Sequence, residues 1–113
     1  MADLLSEVDR LAFTDELVDY FRAAVREGQR AGVAGLRDDN LAWVKPWGFE
    51  FSTIGVPVQV WHGKQAKIVP LSMGEWMAAH LSHADVHLEP GEGHVTLFEH
   101  KIPSVHEWLA SHF

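Results

Sequence analysis

Residues 56–94 read VPVQVWHGKQAKIVPLSMGEWMAAHLSHADVHLEPGEGH, and this stretch decides the fold. Val56–Trp61 is a short β-branched run bounded by Gly55 and Gly63, the mark of a buried strand. Ser72 and Glu75 have the spacing of a capping box, which places a helix from there to about His80–Leu81. Asp85–Leu88 is a second short strand, closed by Pro90-Gly91. Strand, helix and strand so close together make a parallel βαβ unit, because a crossover through a helix returns the chain in the same direction. The expected class is therefore α/β, with strands at about 56–61 and 85–88 and flanking helices.

Before this unit, Leu4, Leu5, Val8, Leu11 and Ala12 recur at helical spacing. Thr14 is placed to cap a second helix, with Asp15 and Glu16 in its first turn, where the helix dipole favours acids. Leu17, Val18, Phe21, Ala24 and Val25 would form its apolar face, and Gly28 or Gly32 would end it. A short helix near Asp38–Val44 precedes a loop that packs Trp43, Trp47, Phe49 and Phe51. After the second strand, Pro103-Ser104 suits the opening of a last helix, with Val105, Trp108 and Leu109 facing inward and Leu97 and Phe98 packed beneath it.

Sites in open α/β sheets collect at the carboxyl ends of strands. Two loops fall there, His62–Pro70 and Pro90–His94, and parallel neighbours put them side by side. Glycines 91 and 93 would let the second loop turn sharply and present His94. Glu92 reads as a solvated loop acid in preference to a partner of His94.

Val58-Gln59-Val60-Trp61-His62-Gly63, Val69-Pro70 and Gly91-Glu92-Gly93-His94 together resemble the C-terminal end of the α/β-hydrolase fold. The family pattern is a strand ending in His-Gly, an acid three residues on, a Val-Pro, a helix, a strand, and Gly-x-Gly-His. Trp47-Gly48-Phe49 followed by Ile54 and Pro57 adds to the likeness. The resemblance implies a division into a cap-like helical segment, 1–53, and a core segment, 54–113. It implies that His94 occupies the general base's place. The family's catalytic Asp falls on Ala66, whose methyl can neither orient an imidazole nor stabilise its charged form. The Gly-x-Ser-x-Gly nucleophile elbow has no counterpart in these residues; Ser72 comes nearest, but Pro70 stands in place of the first glycine. Hydrolase ancestry with catalytic incompleteness, a pseudoenzyme-like C-terminal fragment, is therefore what the resemblance implies. The alternatives are a non-enzymatic interaction or oligomerisation module, and one half of a split hydrolase completed by another chain.

Composition narrows the remaining classes. The chain has 113 residues and a formal net charge of −7, with no cluster of Lys and Arg, so no nucleic-acid partner is expected. With no cysteine there is no disulfide, no thiol nucleophile and no Cys-based zinc site. No apolar run approaches the ~20 residues of a membrane span, and Met1-Ala2-Asp3-Leu4-Leu5 lacks a basic leader region, so a cytoplasmic protein away from membranes is expected. His80, His83 and His87 lie close in sequence but run from a helix end into a strand, so no metal site is expected, and no cofactor. Asp38-Asp39 reads as a solvated pair. The aromatic group at 43–51 reads as packing before it reads as a substrate pocket.

The strand at 56–61 would have one neighbour only. Its other side would present unpaired backbone groups, a template for another chain. A homo-oligomer, a two-fold dimer before all, or a complementary N-terminal hydrolase half is the expected partner.

Overall fold

The structure is a computed structural model that describes residues 4–113. The chain forms two compact units. One joins α1 (Glu7–Ala12) to the stretch Phe51–Phe113, and the other is Phe13–Glu50.

The unit Phe13–Glu50 holds two helices, α2 (Asp15–Gly28) and α3 (Ala34–Trp43). The Thr14 hydroxyl accepts a bond from the Leu17 amide at 3.3 Å, so the expected cap and first turn are in place. Helix α2 ends at Gly28, the first of the two glycines anticipated. Gly32 follows with φ +95°, in the left-handed region that side chains avoid, and turns the chain into α3. Helix α3 starts four residues before the anticipated Asp38. Neither helix buries a residue fully. Trp47 and Phe49 pair at 6.1 Å between ring centroids.

The other unit carries β1 (Gln59–Gly63), α4 (Leu71–His80), β2 (Asp85–Glu89) and α5 (Val95–His112), after a 3₁₀ turn at Phe51–Thr53. β1 and β2 pair in parallel with Gln59 opposite Asp85 and Gly63 opposite Glu89, forming the expected βαβ unit. The first strand lies later than the anticipated 56–61. Pro57 has no N–H to give a ladder, and pairing begins where Val58 accepts from the Asp85 amide at 2.9 Å. It ends where the Lys64 amide donates to Glu89 at 2.8 Å. The sheet has two strands, and the side of β1 away from β2 pairs with nothing among the described residues.

Two helix starts differ from the sequence reading. Pro70, extended at φ −61° and ψ 146°, is the N-cap of α4, so Ser72 sits inside the first turn and makes no capping bond. Helix α5 does not open at Pro103-Ser104. It opens directly after His94 and carries Pro103 in its interior. Its first amides are held by Asp9, which sets the start well upstream of the proline. Leu97 and Phe98 are therefore part of α5, and Phe98 is 60% exposed.

Apart from glycines, the buried residues among those described are few and unusual. The apolar ones are Val60, Ala66 and Leu81; the polar ones are Ser6, Asp9, His62 and Thr96. Buried polar groups stay buried only when bonded, and three of these four form one cluster at the start of α5. Among the described residues no helix is long and apolar enough to cross a membrane.

Candidate functional site

Parallel pairing puts the carboxyl ends of β1 and β2 on the same side, and the loops that follow them interlock. The Gln65 amide donates to Glu92 at 3.0 Å, and its side-chain amide reaches the Pro90 carbonyl at 3.1 Å. Gly63 lies so close under the Glu92 and Gly93 carbonyls that a Cβ there would collide with backbone. Ala66 closes a tight turn through its amide to Gly63 at 3.1 Å and is buried.

Ala66 and His94 line one cavity of about 360 Å³, with Trp61, Leu97, Phe98 and Lys101 among its other walls. The two positions singled out in the sequence are thus brought together. Among the described residues no serine and no carboxylate lines that cavity. The His94 ring stands edge-on to Phe98 at 6.2 Å. Among the described residues no group is hydrogen-bonded to its imidazole. The nearest loop acid, Glu92, does not turn to it. Glu92 holds the His100 ring nitrogen at 3.0 Å, so it is a bonded, half-buried acid and not the solvated one anticipated. Burial works against its ionisation, but bonds from Thr96 and His100 and the charges of His100 and Lys101 outweigh it and hold the carboxyl below its usual range.

His94 is presented by a different acid, one the sequence reading did not single out. Asp9 is completely buried, and its two carboxylate oxygens accept four bonds. Oδ2 takes the Ser6 hydroxyl at 2.7 Å and the His94 amide at 3.0 Å; Oδ1 takes the Val95 amide at 2.8 Å and the Thr96 amide at 3.2 Å. Ser6 in turn accepts the Asp9 amide at 3.2 Å, so the Ser6 hydroxyl caps the first turn of α1 while the carboxylate it donates to caps α5. One negative charge thus sits at the positive ends of two helices. Burial opposes its ionisation, yet the bonds from His94, Ser6, Val95 and Thr96 together prevail and lower its pKa. Thr96 completes the cluster by accepting the Gly93 amide at 2.8 Å. Gly93 is not in a left-handed conformation. Its lack of a side chain serves space, because a Cβ there would overlap the Asp9 carboxylate. The signal for this cluster was the Ser-x-x-Asp spacing at 6–9.

Two further polar groups belong to β1. His62 donates its Nδ1–H to the Gly63 carbonyl at 2.8 Å, and its buried Nε2 has no partner among the described residues. The ring fills the space left by Gly74 on α4. On the opposite face, Trp61 stacks on His87 at 3.9 Å, while Gln59 bonds both Trp61 and Asp85 at 2.9 Å. The Gln59 bond, and then His87, lower the Asp85 pKa.

Among the described residues no three His, Asp or Glu side chains are placed to hold a metal. His80 bonds and stacks on Trp76, and His87 pairs with Asp85. A second cavity, of about 350 Å³, runs along β1 and α4 between Val58, Met73 and Leu81. Among the described residues no β2 residue lines either cavity.

Comparison with protein-family models, curated proteins and solved structures yields no match to the chain.

Proposed function

We propose that this chain carries the base-bearing corner of an α/β-hydrolase-like site, with His94 in the base's place and the acid's place filled by Ala66. The observation that carries the reading is the interlocking of the two loops, so that Ala66 and His94 line one cavity at one end of a parallel pair. A base needs an orienting acid beside it, and the Ala66 methyl stands where that acid would reach from. The residues in hand supply neither nucleophile nor oxyanion donors, so the chain by itself does not complete the reaction. The chemistry of the lineage would be ester-type hydrolysis through a serine, the histidine and an acid.

The test is to supply a polypeptide bearing the front of such a sheet with a Gly-x-Ser-x-Gly elbow, and to assay p-nitrophenyl ester hydrolysis in the purified complex. Ala66→Asp is expected to raise turnover by up to about four orders of magnitude, and His94→Ala to abolish it. A formed complex that stays inert after Ala66→Asp, or one whose activity survives His94→Ala, overturns the reading.

A second reading, a non-enzymatic assembly module, is favoured by the side of β1 that has no strand partner among the described residues. In a parallel ladder of this register the backbone groups of Gln59 and Trp61 point away from β2, toward that side. A second copy or a complementary chain would pair there. Under this reading Val58→Lys breaks association in native mass spectrometry while His94→Ala leaves it intact; a monodisperse monomer with cooperative unfolding removes it.

A further inference from the structure

Asp9 does more than cap a helix. The amide of His94, at the N-cap of α5, and those of Val95 and Thr96, its first two residues, all end on this one carboxylate. The residue just before them is fixed from the other side, because the Gly93 amide is held by Thr96. The His94 backbone is therefore clamped at the point from which its side chain departs. The imidazole has no hydrogen bond of its own among the described residues, so its placement follows from the clamped backbone and from packing such as the edge contact with Phe98. Asp9 itself cannot drift. It is the third residue of α1, its hydroxyl partner Ser6 is buried with it, and Gly93 leaves it room.

We propose that Asp9 is the positioning residue of His94: it fixes the imidazole at the cavity mouth by holding the first turn of α5, and so makes α1 a working part of the site. Asp9 is not a catalytic residue, because both of its oxygens are occupied by the clamp and neither is free to touch the ring. The significance for hydrolysis rests on the function proposed above; the clamp can be tested without it.

The experiment uses the full chain as it stands. Asp9→Ala removes the acceptors, and Asp9→Asn, which keeps the shape and one acceptor oxygen, serves as the second variant where Asp9→Ala does not fold. Amide exchange is followed by NMR, and carbethoxylation of each histidine by diethyl pyrocarbonate is followed by mass spectrometry. The expected result is local: exchange at His94, Val95 and Thr96 rises about tenfold or more, and His94 is modified about threefold faster or more, while His83 and His106 keep their parent rates. Unchanged exchange and reactivity at His94 overturn the proposal. So does an equal rise at all histidines, which is what a merely structural role in overall stability would produce. In the completed hydrolase, Asp9→Asn is expected to lower kcat with KM little changed. If the complex shows no turnover even with Ala66→Asp while the local NMR result holds, the hydrolase reading fails and the clamp stands.

Discussion

Helices α2 and α5 begin in opposite ways. At α2 the cap is Thr14, the residue next to the helix, exposed, with one bond of 3.3 Å to Leu17. At α5 the cap is Asp9, 85 residues before His94 in sequence, completely buried, with three backbone donors and a hydroxyl on it. A local cap trades one bond to water for one bond to a hydroxyl and gains little. A buried carboxylate has no water to return to, so each of its bonds is needed, and losing any leaves a charge or an amide stranded. The difference explains why one start is a matter of helix chemistry and the other a matter of tertiary structure. It also predicts very different sensitivities.

The largest effect should come from the residue that makes room for the carboxylate. A methyl at position 93 occupies the space of the Asp9 carboxylate, so Gly93→Ala must expel the acid or shift α1 from α5. The expected cost is about 2–4 kcal/mol, read as a lowered urea midpoint with unchanged slope. A cost below about 0.5 kcal/mol would place the two N-termini on an equal footing and break the comparison.

Acid should come next. The folded pKa of Asp9 is lowered, so its ionised form stabilises the fold. That contribution is complete above the ordinary carboxylate range and is lost as pH falls through the depressed value. Glu92 and Asp85 are lowered too and add to the same limb. The thermal midpoint is expected to fall between about pH 5 and pH 2, and less steeply in Asp9→Asn. Equal slopes in the two proteins would remove Asp9 as a source of acid sensitivity.

These contrasts also mark what the chain discloses in one dimension. The βαβ unit was legible because β-branched runs and glycine boundaries are local signals, and the pairing of the Ala66 and His94 loops follows once the strands are parallel. Thr14 was legible for the same reason. The start of α5 was not. Pro103-Ser104 has the local form of a helix opening, and nothing in residues 90–102 says that a carboxylate from α1 will take the first amides. The capping spacing at Ser72 and Glu75 misled likewise, because Pro70 had already fixed the entry to α4. The sequence starts the first strand too early because Val56 and Val58 look like strand residues, while Pro57 between them cannot donate to a ladder. Glu92 reads as solvated because its partner His100 lies eight residues downstream, on a helix that nothing local announces there.

Pro103 offers a sharper test of which group starts α5. Were the proline the helix opener, replacing it would weaken the helix. With Asp9 as the opener, Pro103 is an interior proline that removes one amide donor and crowds the carbonyl four residues back. Pro103→Ala is therefore expected to stabilise the fold by about 1–3 kcal/mol, seen as a raised thermal midpoint and firmer amide protection around Glu99. A loss of stability would return the start of the helix to the proline.

The smallest effect belongs to Thr14. Its hydroxyl is exposed, its bond to Leu17 is long, and water can take its place. Thr14→Ala is expected to cost about 1 kcal/mol or less, and only within the unit Phe13–Glu50. Amide exchange separates the two units: Leu17 and its neighbours in the first turn of α2 should exchange faster, while His94, Val95 and Thr96 keep their parent rates. If the α5 amides were to respond to Thr14→Ala as strongly as those of α2, the local cap would not be local, and the distinction between the two helix starts would have no energetic basis.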